Sequence, residues 1–150
     1  MRGFTLIEIV IALAIFVLIL TMSWKGFAIF STTQKLDRIG EETITLFRKA
    51  REKTVTGEGG FAYGIRVEGG RFILFRAPTY VEGNPMNEIL TLPSDFFVSA
   101  HSFQGGGSEI IFQKFTGGTG SFGTLTIQKR NDSTVQKIFH IYETGIVEIE

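Results

Sequence analysis

Cysteine is absent from this chain of 150 residues, and neither sign of charge is in excess. Without thiols the protein can form neither disulfide bonds nor thiolate metal sites. Fifteen Lys and Arg balance fifteen Asp and Glu. The formal net charge is therefore zero, and no strong field favours nucleic acid or acidic lipids. The length suits one domain plus an appendage.

Motifs for catalysis and cofactor binding are also lacking. The two histidines, His101 and His140, do not stand in an H-E-x-x-H or similar ligand spacing. No glycine run leads into the G-K-[ST] of a Walker loop. A calcium site needs several oxygen ligands close together, but the acids of the last strands are scattered: Asp132, Glu143, Glu148 and Glu150. We therefore predict no catalytic residue, no cofactor and no metal.

What the chain does have is a long apolar run at its start. Phe4 to Leu20 reads FTLIEIVIALAIFVLIL, interrupted only by Thr5 and Glu8. Continued through Met22 as a helix, it would measure roughly 28 Å, close to the ~30 Å of a bilayer core. The alternative is a buried helix in a soluble core, which is disfavoured because the stretch is apolar on all faces and stands at the start of the chain. A cleaved signal peptide would need small residues behind the run. We therefore predict a retained transmembrane helix.

Glu8 is the anomaly in this run. A carboxylate within an apolar span costs a few kcal/mol and marks a functional site by default. Cleavage after Gly3 would give Phe4 a free α-amine, with Glu8 one turn further along the helix. A helix N-terminus also favours negative charge. In a filament Glu8 could instead pair with the Phe4 amine of a neighbour, and the alternative is an interfacial Glu without a role.

Gly3-Phe4-Thr5-Leu6-Ile7-Glu8 resembles the G-F-T-L-I-E processing motif of type IV prepilins and type II secretion pseudopilins. The resemblance implies that a prepilin peptidase cuts between Gly3 and Phe4 and N-methylates Phe4. It implies that Glu8 draws subunits into register. The partners it implies are other pilin or pseudopilin subunits, the prepilin peptidase, an inner-membrane assembly platform and membrane lipid. The expected location is the inner membrane, with the N-terminus cytoplasmic and the head periplasmic, and then a filament.

The helical pattern continues beyond the apolar run without proline to about Thr54. One apolar stripe at helical spacing comprises Ile29, Leu36, Ile39, Phe47 and Ala50. A basic cluster follows: Arg48, Lys49, Arg51 and Lys53. It could bind DNA or a partner, or it could complement the dipole at the helix C-terminus. We predict a single helix from Phe4 to about Thr54.

After Gly57-Glu58-Gly59-Gly60 the apolar period changes from that of a helix to that of a strand. Gly69-Gly70 between two alternating runs indicates a hairpin. The predicted strands are Ala62–Glu68, Arg71–Arg76, Glu88–Leu92, Phe96–Phe103, Glu109–Phe115, Gly123–Lys129, Gln136–Tyr142 and Ile146–Ile149. We interpret most phenylalanines of this part as core, with a few at subunit contacts: Phe72, Phe75, Phe97, Phe103, Phe112, Phe115, Phe122 and Phe139.

The predicted fold class is α+β, with a long N-terminal helix, its first half transmembrane, packed on a small antiparallel β-sheet head. The segments are a leader at 1–3, a transmembrane and filament-core helix at 4–24, an amphipathic helix at 25–56 and a β-rich head at 57–150. An Ala50-Arg51-x-Lys53 helix end, Ile111-Phe112 before a Gly-rich loop and a closing Thr144-Gly145-Ile146-Val147 resemble the H-type minor pseudopilins and related minor pilins.

These expectations favour a non-enzymatic minor pilin-like subunit of a type II secretion pseudopilus or type IV pilus. The alternative is a DNA-binding minor pilin for natural transformation, which would need an exposed basic patch. Lys129, Arg130 and Lys137 keep that alternative open, whereas the acids of the last strands oppose it. Nucleic acid is therefore not the expected partner.

Overall fold

The structure is a computed structural model that describes residues 3–150, apart from the side chains of residues 22–29. Within it a single helix, α1 (Leu6–Val55), precedes a 3-10 turn at Glu58–Gly60 and eight strands. The chain divides into two compact units, Met1–Lys35 and Leu36–Glu150, and α1 contributes to both. The predicted helix from Phe4 to about Thr54 is thus present, although it begins two residues later.

The eight predicted strands are all present in their predicted order. Their bounds are β1 (Tyr63–Glu68), β2 (Arg71–Arg76), β3 (Glu88–Thr91), β4 (Phe96–Phe103), β5 (Glu109–Ile111), β6 (Gly123–Lys129), β7 (Asp132–Ile141) and β8 (Val147–Ile149). They form two antiparallel four-stranded sheets, one in the order β3-β2-β1-β5 and the other in the order β4-β6-β7-β8. The α+β prediction is confirmed, with two sheets in the head.

Local turn chemistry fixes the hairpins. Glu68 pairs with Arg71 across the predicted Gly69-Gly70 turn, so β1 and β2 meet through a two-residue link. At the β6–β7 hairpin, Asp132 Oδ1 accepts hydrogen bonds from the Thr134 N–H and hydroxyl. This Asx turn starts β7 at Asp132, four residues before the predicted start, and a register irregularity beside Lys129 accommodates the extra residues.

The prediction that the fifth strand continues to Phe115 is wrong. β5 ends at Ile111, and Phe112 makes only an isolated bridge with Thr119. Phe115 has a φ of 68°, in the left-handed region that no strand residue adopts. The chain therefore turns away from the sheet at Lys114–Thr116 instead of extending it.

The second half of α1 packs on the sheets through its apolar stripe. Leu36, Ile39, Phe47 and Ala50 are buried in one core with side chains from both sheets, whereas the side chain of Ile29 lies outside the described residues. The ring of Phe47 meets that of Phe72 edge-on at 6.3 Å between centroids. Burial of the apolar side chains between α1 and the sheets is the main source of stability here, because each buried large apolar side chain contributes roughly 1.5–3 kcal/mol.

The phenylalanines divide as the core interpretation expects. The buried ones are Phe72, Phe75, Phe103, Phe112 and Phe139, whereas Phe97 is half-buried. Two are exposed, Phe122 at 37% and Phe115 at 88%. The second value means that the Phe115 ring contributes almost nothing to the core.

An ion network crosses the sheet of β1, β2 and β5. Arg66 bonds Glu68 and Glu109, and Arg71 bonds Glu68 from the end of the hairpin. The hydrogen bond from Arg71, helped by Arg66, holds the pKa of the Glu68 carboxyl below its ordinary value, against the burial that would raise it. The network therefore favours the charged form of Glu68.

Candidate functional site

The N-terminal residues Gly3, Phe4 and Thr5 are not helical, and Thr5 caps the helix that follows. The Thr5 carbonyl accepts hydrogen bonds from the Glu8 N–H at 3.1 Å and the Ile9 N–H at 3.3 Å. The Thr5 hydroxyl also accepts from the Glu8 N–H, at 3.4 Å. Thr5 is thus the N-cap and Glu8 the third helical residue, which is the T-x-x-E spacing of a capping box. The sequence prediction missed this role, although the T-x-x-E spacing can be seen in the sequence.

The structure brings Phe4 and Glu8 together on one side of the chain. Both line a shallow groove that continues along the helix past Ala12, Leu13 and Phe16. Phe4 lies outside α1, so the expectation that it starts the helix is corrected, but it still faces the same groove as Glu8. Met1 and Arg2 of the predicted leader lie outside the described residues.

Glu8 places a carboxylate at the N-terminal end of α1, which is the end of a helix that favours negative charge. It belongs to the first turn of α1, where the free N–H groups and the helix dipole stabilise a carboxylate. Among the described side chains, none donates a hydrogen bond or forms an ion pair with the Glu8 carboxylate.

The first turns of α1 expose apolar side chains on every face. Phe4 is 80% exposed and Leu6 81%, and the large apolar residues up to Leu20 are each more than half exposed. Continuous apolar surface of this extent marks an interaction site rather than a water-facing surface. Among the described residues, no helix reaches the length and hydropathy needed to cross a membrane. The predicted span includes residues 22–24, whose side chains lie outside the described part of the chain.

The basic cluster at the end of α1 is largely bonded within the head. Lys49 Nζ lies 2.6 Å from Glu88 Oε2, and Lys53 Nζ lies 2.5 Å from Glu58 Oε1. The hydrogen bond from Lys53 to Glu58 raises the pKa of the Lys53 ammonium, and burial opposes this in part.

The other two cations of the cluster differ from each other. Arg51 Nε donates to the carbonyls of Gly117 and Thr144, at 3.2 Å each. Arg48 is exposed. Three of the four cations of the cluster therefore bond groups of the head.

The two histidines lie in different strands, and each meets one polar neighbour. His101 Nε2 is 3.2 Å from Ser108 Oγ, and His140 Nε2 is 3.0 Å from Glu150 Oε2. Glu148 accepts a hydrogen bond from the Tyr142 hydroxyl at 3.1 Å, which raises the pKa of that phenol. Within the described residues, no three His, Asp or Glu side chains are grouped so as to hold a metal ion.

Comparison with known proteins gives one match of sequence and two of structure. Residues 1–24 match the family described as the prokaryotic N-terminal methylation motif. The type IV minor pilin FimU of Pseudomonas aeruginosa is similar in structure in two crystal forms, each 14% identical in sequence. One covers 77% of this chain and 92% of FimU with a TM-score of 0.59, and the other covers 81% and 92% with a TM-score of 0.61. No curated protein matches the sequence.

The predicted resemblance is thereby confirmed by two comparisons, one of sequence and one of structure. The N-terminal match covers the segment that holds Gly3, Phe4 and Glu8. The structural match covers most of the chain and shows that the helix and the two sheets form a pilin-like α+β fold. The chain thus resembles the type IV pilins and pseudopilins in its N-terminal motif as well as in its fold.

Proposed function

We propose that this chain is a minor pilin-like structural subunit that is built into a filament through its N-terminal helix. The observation that carries the proposal is the exposed apolar start of α1, interrupted by the single carboxylate of Glu8 beside Phe4. Burying each exposed Leu or Ile is worth roughly 1.5–3 kcal/mol. Lipid before assembly and neighbouring helices afterwards would supply that burial.

The proposal assigns the processing steps to Gly3, Phe4 and Glu8. A prepilin peptidase cuts between Gly3 and Phe4 and methylates the new amine of Phe4. Glu8 then pairs with the Phe4 amine of a neighbouring subunit, which offsets the cost of a carboxylate in an apolar surrounding. The motif match to residues 1–24 and the shared groove of Phe4 and Glu8 support this assignment. The inner membrane, with its assembly platform, is the site of insertion before filament entry.

The pairing is tested by Glu8→Leu in the full chain, produced in a bacterium that builds such filaments. We expect unchanged amounts in the membrane fraction and at least a tenfold loss from sheared filaments, equivalent to about 1.4 kcal/mol. Glu52→Leu is the matched control, because Glu52 is an exposed carboxylate of the same helix outside the apolar run. Normal entry of Glu8→Leu into filaments would refute the proposed pairing of Glu8 with the Phe4 amine. Mass spectrometry of the mature chain should show N-methylated Phe4 as its first residue.

Pseudopilus and pilus are separated by phenotype. Deletion of the gene should impair protein secretion in the first case and piliation with twitching in the second. Two of the three residues that suggested the DNA-binding alternative make contacts within the molecule. Lys137 Nζ pairs with Asp37 Oδ1 at 2.7 Å, and the guanidinium of Arg130 stacks on Phe97. We therefore do not propose nucleic acid as a partner.

A further inference from the structure

The sheet of β3, β2, β1 and β5 has buried apolar side chains on both of its faces. Phe72 and Leu74 belong to the core that includes side chains of α1. Side chains alternate along a strand, so Ile73 and Phe75 of the same strand lie on the opposite, outer face. Both are nevertheless only 1% exposed. Another part of the head therefore covers the outer face.

The cover is the segment 77–87, which connects β2 to β3 and which we call the β2–β3 flap. The ring of its Tyr80 meets the ring of Phe75 edge-on, at 5.7 Å between centroids. The guanidinium of Arg66, which is paired with Ile73 across the sheet, lies 4.7 Å from the centre of the Tyr80 ring. One aromatic side chain thus joins the flap to two residues of the outer face.

A second contact between the flap and the sheet is weaker. Glu82 reaches Arg71 at 3.7 Å, but the Glu82 side chain is 82% exposed. Exposed ion pairs contribute little because water screens them. The Tyr80 ring is half-buried, and its aromatic and cation–π contacts both add to the effect of that burial. Tyr80 is therefore the main attachment of the flap to the outer face.

The backbone of the flap is hydrogen-bonded mainly within the flap. The Asn87 N–H donates to the Asn84 carbonyl at 3.0 Å, and the Asn87 side-chain amide donates to the Val81 carbonyl at 2.9 Å. In the part of the chain that the structure describes, one backbone hydrogen bond joins the flap to the rest of the head. It lies at the first residue of the flap, where the Ala77 N–H donates to the Ala62 carbonyl at 2.9 Å. Movement of the flap about this end would therefore break few backbone hydrogen bonds.

The flap also buries little of its own surface, since each of its residues is exposed or half-buried. Segments that bury little apolar surface open at a much lower free energy than the whole domain unfolds. The guanidinium on which Tyr80 stacks is held independently of the flap, because Arg66 bonds Glu68 and Glu109. An opened flap can therefore close again on the same site.

We propose that the β2–β3 flap opens as one piece, with Tyr80 as its latch, while both sheets stay folded. Opening uncovers an apolar face formed by Ile73, Phe75 and Ile89, which pairs with Ile73 across the sheet and is already 53% exposed. The head thus has an apolar surface that only its open form exposes in full. The opening involves the unit Leu36–Glu150 alone, so it does not depend on the proposed function.

The absence of native cysteine allows opening to be measured by thiol alkylation of the full chain in detergent micelles. Ile73→Cys places a thiol under the flap, and Leu74→Cys places one on the face toward α1 as the matched control; both positions are buried. The rate of reaction with iodoacetamide is measured at urea concentrations that leave the protein folded.

We expect the thiol of Ile73→Cys to react at least about tenfold faster than that of Leu74→Cys. Its rate should be nearly independent of urea, because opening of the flap exposes little surface. The rate for Leu74→Cys should rise steeply with urea, because that thiol reacts only after global unfolding. Equal rates, or an equally steep dependence on urea, would overturn the proposal.

The latch is tested by adding Tyr80→Ala to Ile73→Cys. Loss of the two ring contacts should raise the alkylation rate about tenfold. Val81→Ala is the matched control, because it truncates an exposed neighbour in the same flap and should change the rate less than about twofold. Equal effects of Tyr80→Ala and Val81→Ala would show that Tyr80 is not the latch.

A second pair of thiols covers the case in which Ile73→Cys does not fold, as judged by near-ultraviolet circular dichroism. Phe75→Cys then reports on the outer face, and Phe72→Cys of the same strand reports on the core. The same contrast in urea dependence is expected between these two variants. Its absence would show that the flap does not open separately from the sheets.

Discussion

Replacing Arg51 by Met should destabilise the unit Leu36–Glu150 through one shared hydrogen bond. The single Nε–H of Arg51 is divided between the carbonyls of Gly117 and Thr144, at 3.2 Å each. Met keeps most of the side-chain length that packs on Gly117 but removes the donor. The free energy of unfolding should therefore report the bond rather than a cavity.

The size of the effect follows from that geometry. A hydrogen bond from a charged donor contributes about 1.5–3 kcal/mol, and long distances with a shared proton favour the lower end. A loss of about 1.5 kcal/mol changes the ratio of folded to unfolded molecules roughly tenfold. For a unit of this size the melting temperature should fall by about 5 °C.

The measurement is thermal unfolding of the full chain in detergent micelles, followed by near-ultraviolet circular dichroism of the tyrosines. All three tyrosines belong to the unit Leu36–Glu150. Arg48→Met is the control, because it removes the same charge from an exposed position of the same helix and should change stability by less than about 0.5 kcal/mol. Equal effects of the two variants would show that lost charge, and not the Arg51 bond, determines the result.

Two further predictions concern polar groups of the unit Leu36–Glu150. The Thr43 hydroxyl is buried and, among the described residues, has no hydrogen-bond partner, so Thr43→Val should raise the free energy of unfolding by about 1 kcal/mol. Thr54→Val is its control and should destabilise, because the Thr54 hydroxyl accepts from the Tyr63 N–H at 2.9 Å; stabilisation by both variants would contradict the reasoning. Folding lowers the pKa of Glu68, chiefly through its hydrogen bond with Arg71. The stability that the Glu68 charge contributes is therefore present above the pKa of the unfolded state and is lost as pH falls through the pKa of the folded state. In denaturant titrations from pH 7 to 3, the free energy of unfolding of Glu68→Gln should therefore fall less steeply below about pH 4.5 than that of the unmodified chain. The same steepness in both proteins would refute this linkage.

The strands of the head were predictable because local signals agree there. Alternating apolar residues and the Gly69-Gly70 turn place β1 and β2 to within one residue of their observed bounds. Where a single residue overrides the pattern, the prediction was wrong. The run through Phe115 is apolar enough for a strand, but that residue has a left-handed φ and stands in a loop whose Gly117 carbonyl accepts a hydrogen bond from Arg51. Such a tertiary contact is not legible in a local window.

Pairing between strands was not predictable from the residues. β5 joins β1 rather than its sequence neighbours, and the division into two sheets separates β3 from β4. Register of this kind depends on contacts between distant segments. At the N-terminus, the spacing of Gly3, Phe4 and Glu8 identified the candidate site, and the capping role of Thr5 was available in the same six residues.

The cap at Thr5 also bears on how the chain can be cut. The peptide bond between Gly3 and Phe4 lies in non-helical backbone, two residues before α1 begins. A protease that acts on non-helical backbone can therefore bind this bond without unwinding any helical turn. Both hydrogen bonds to the Thr5 carbonyl lie on the C-terminal side of the proposed cleavage site, so we expect cleavage there to leave the start of α1 unchanged.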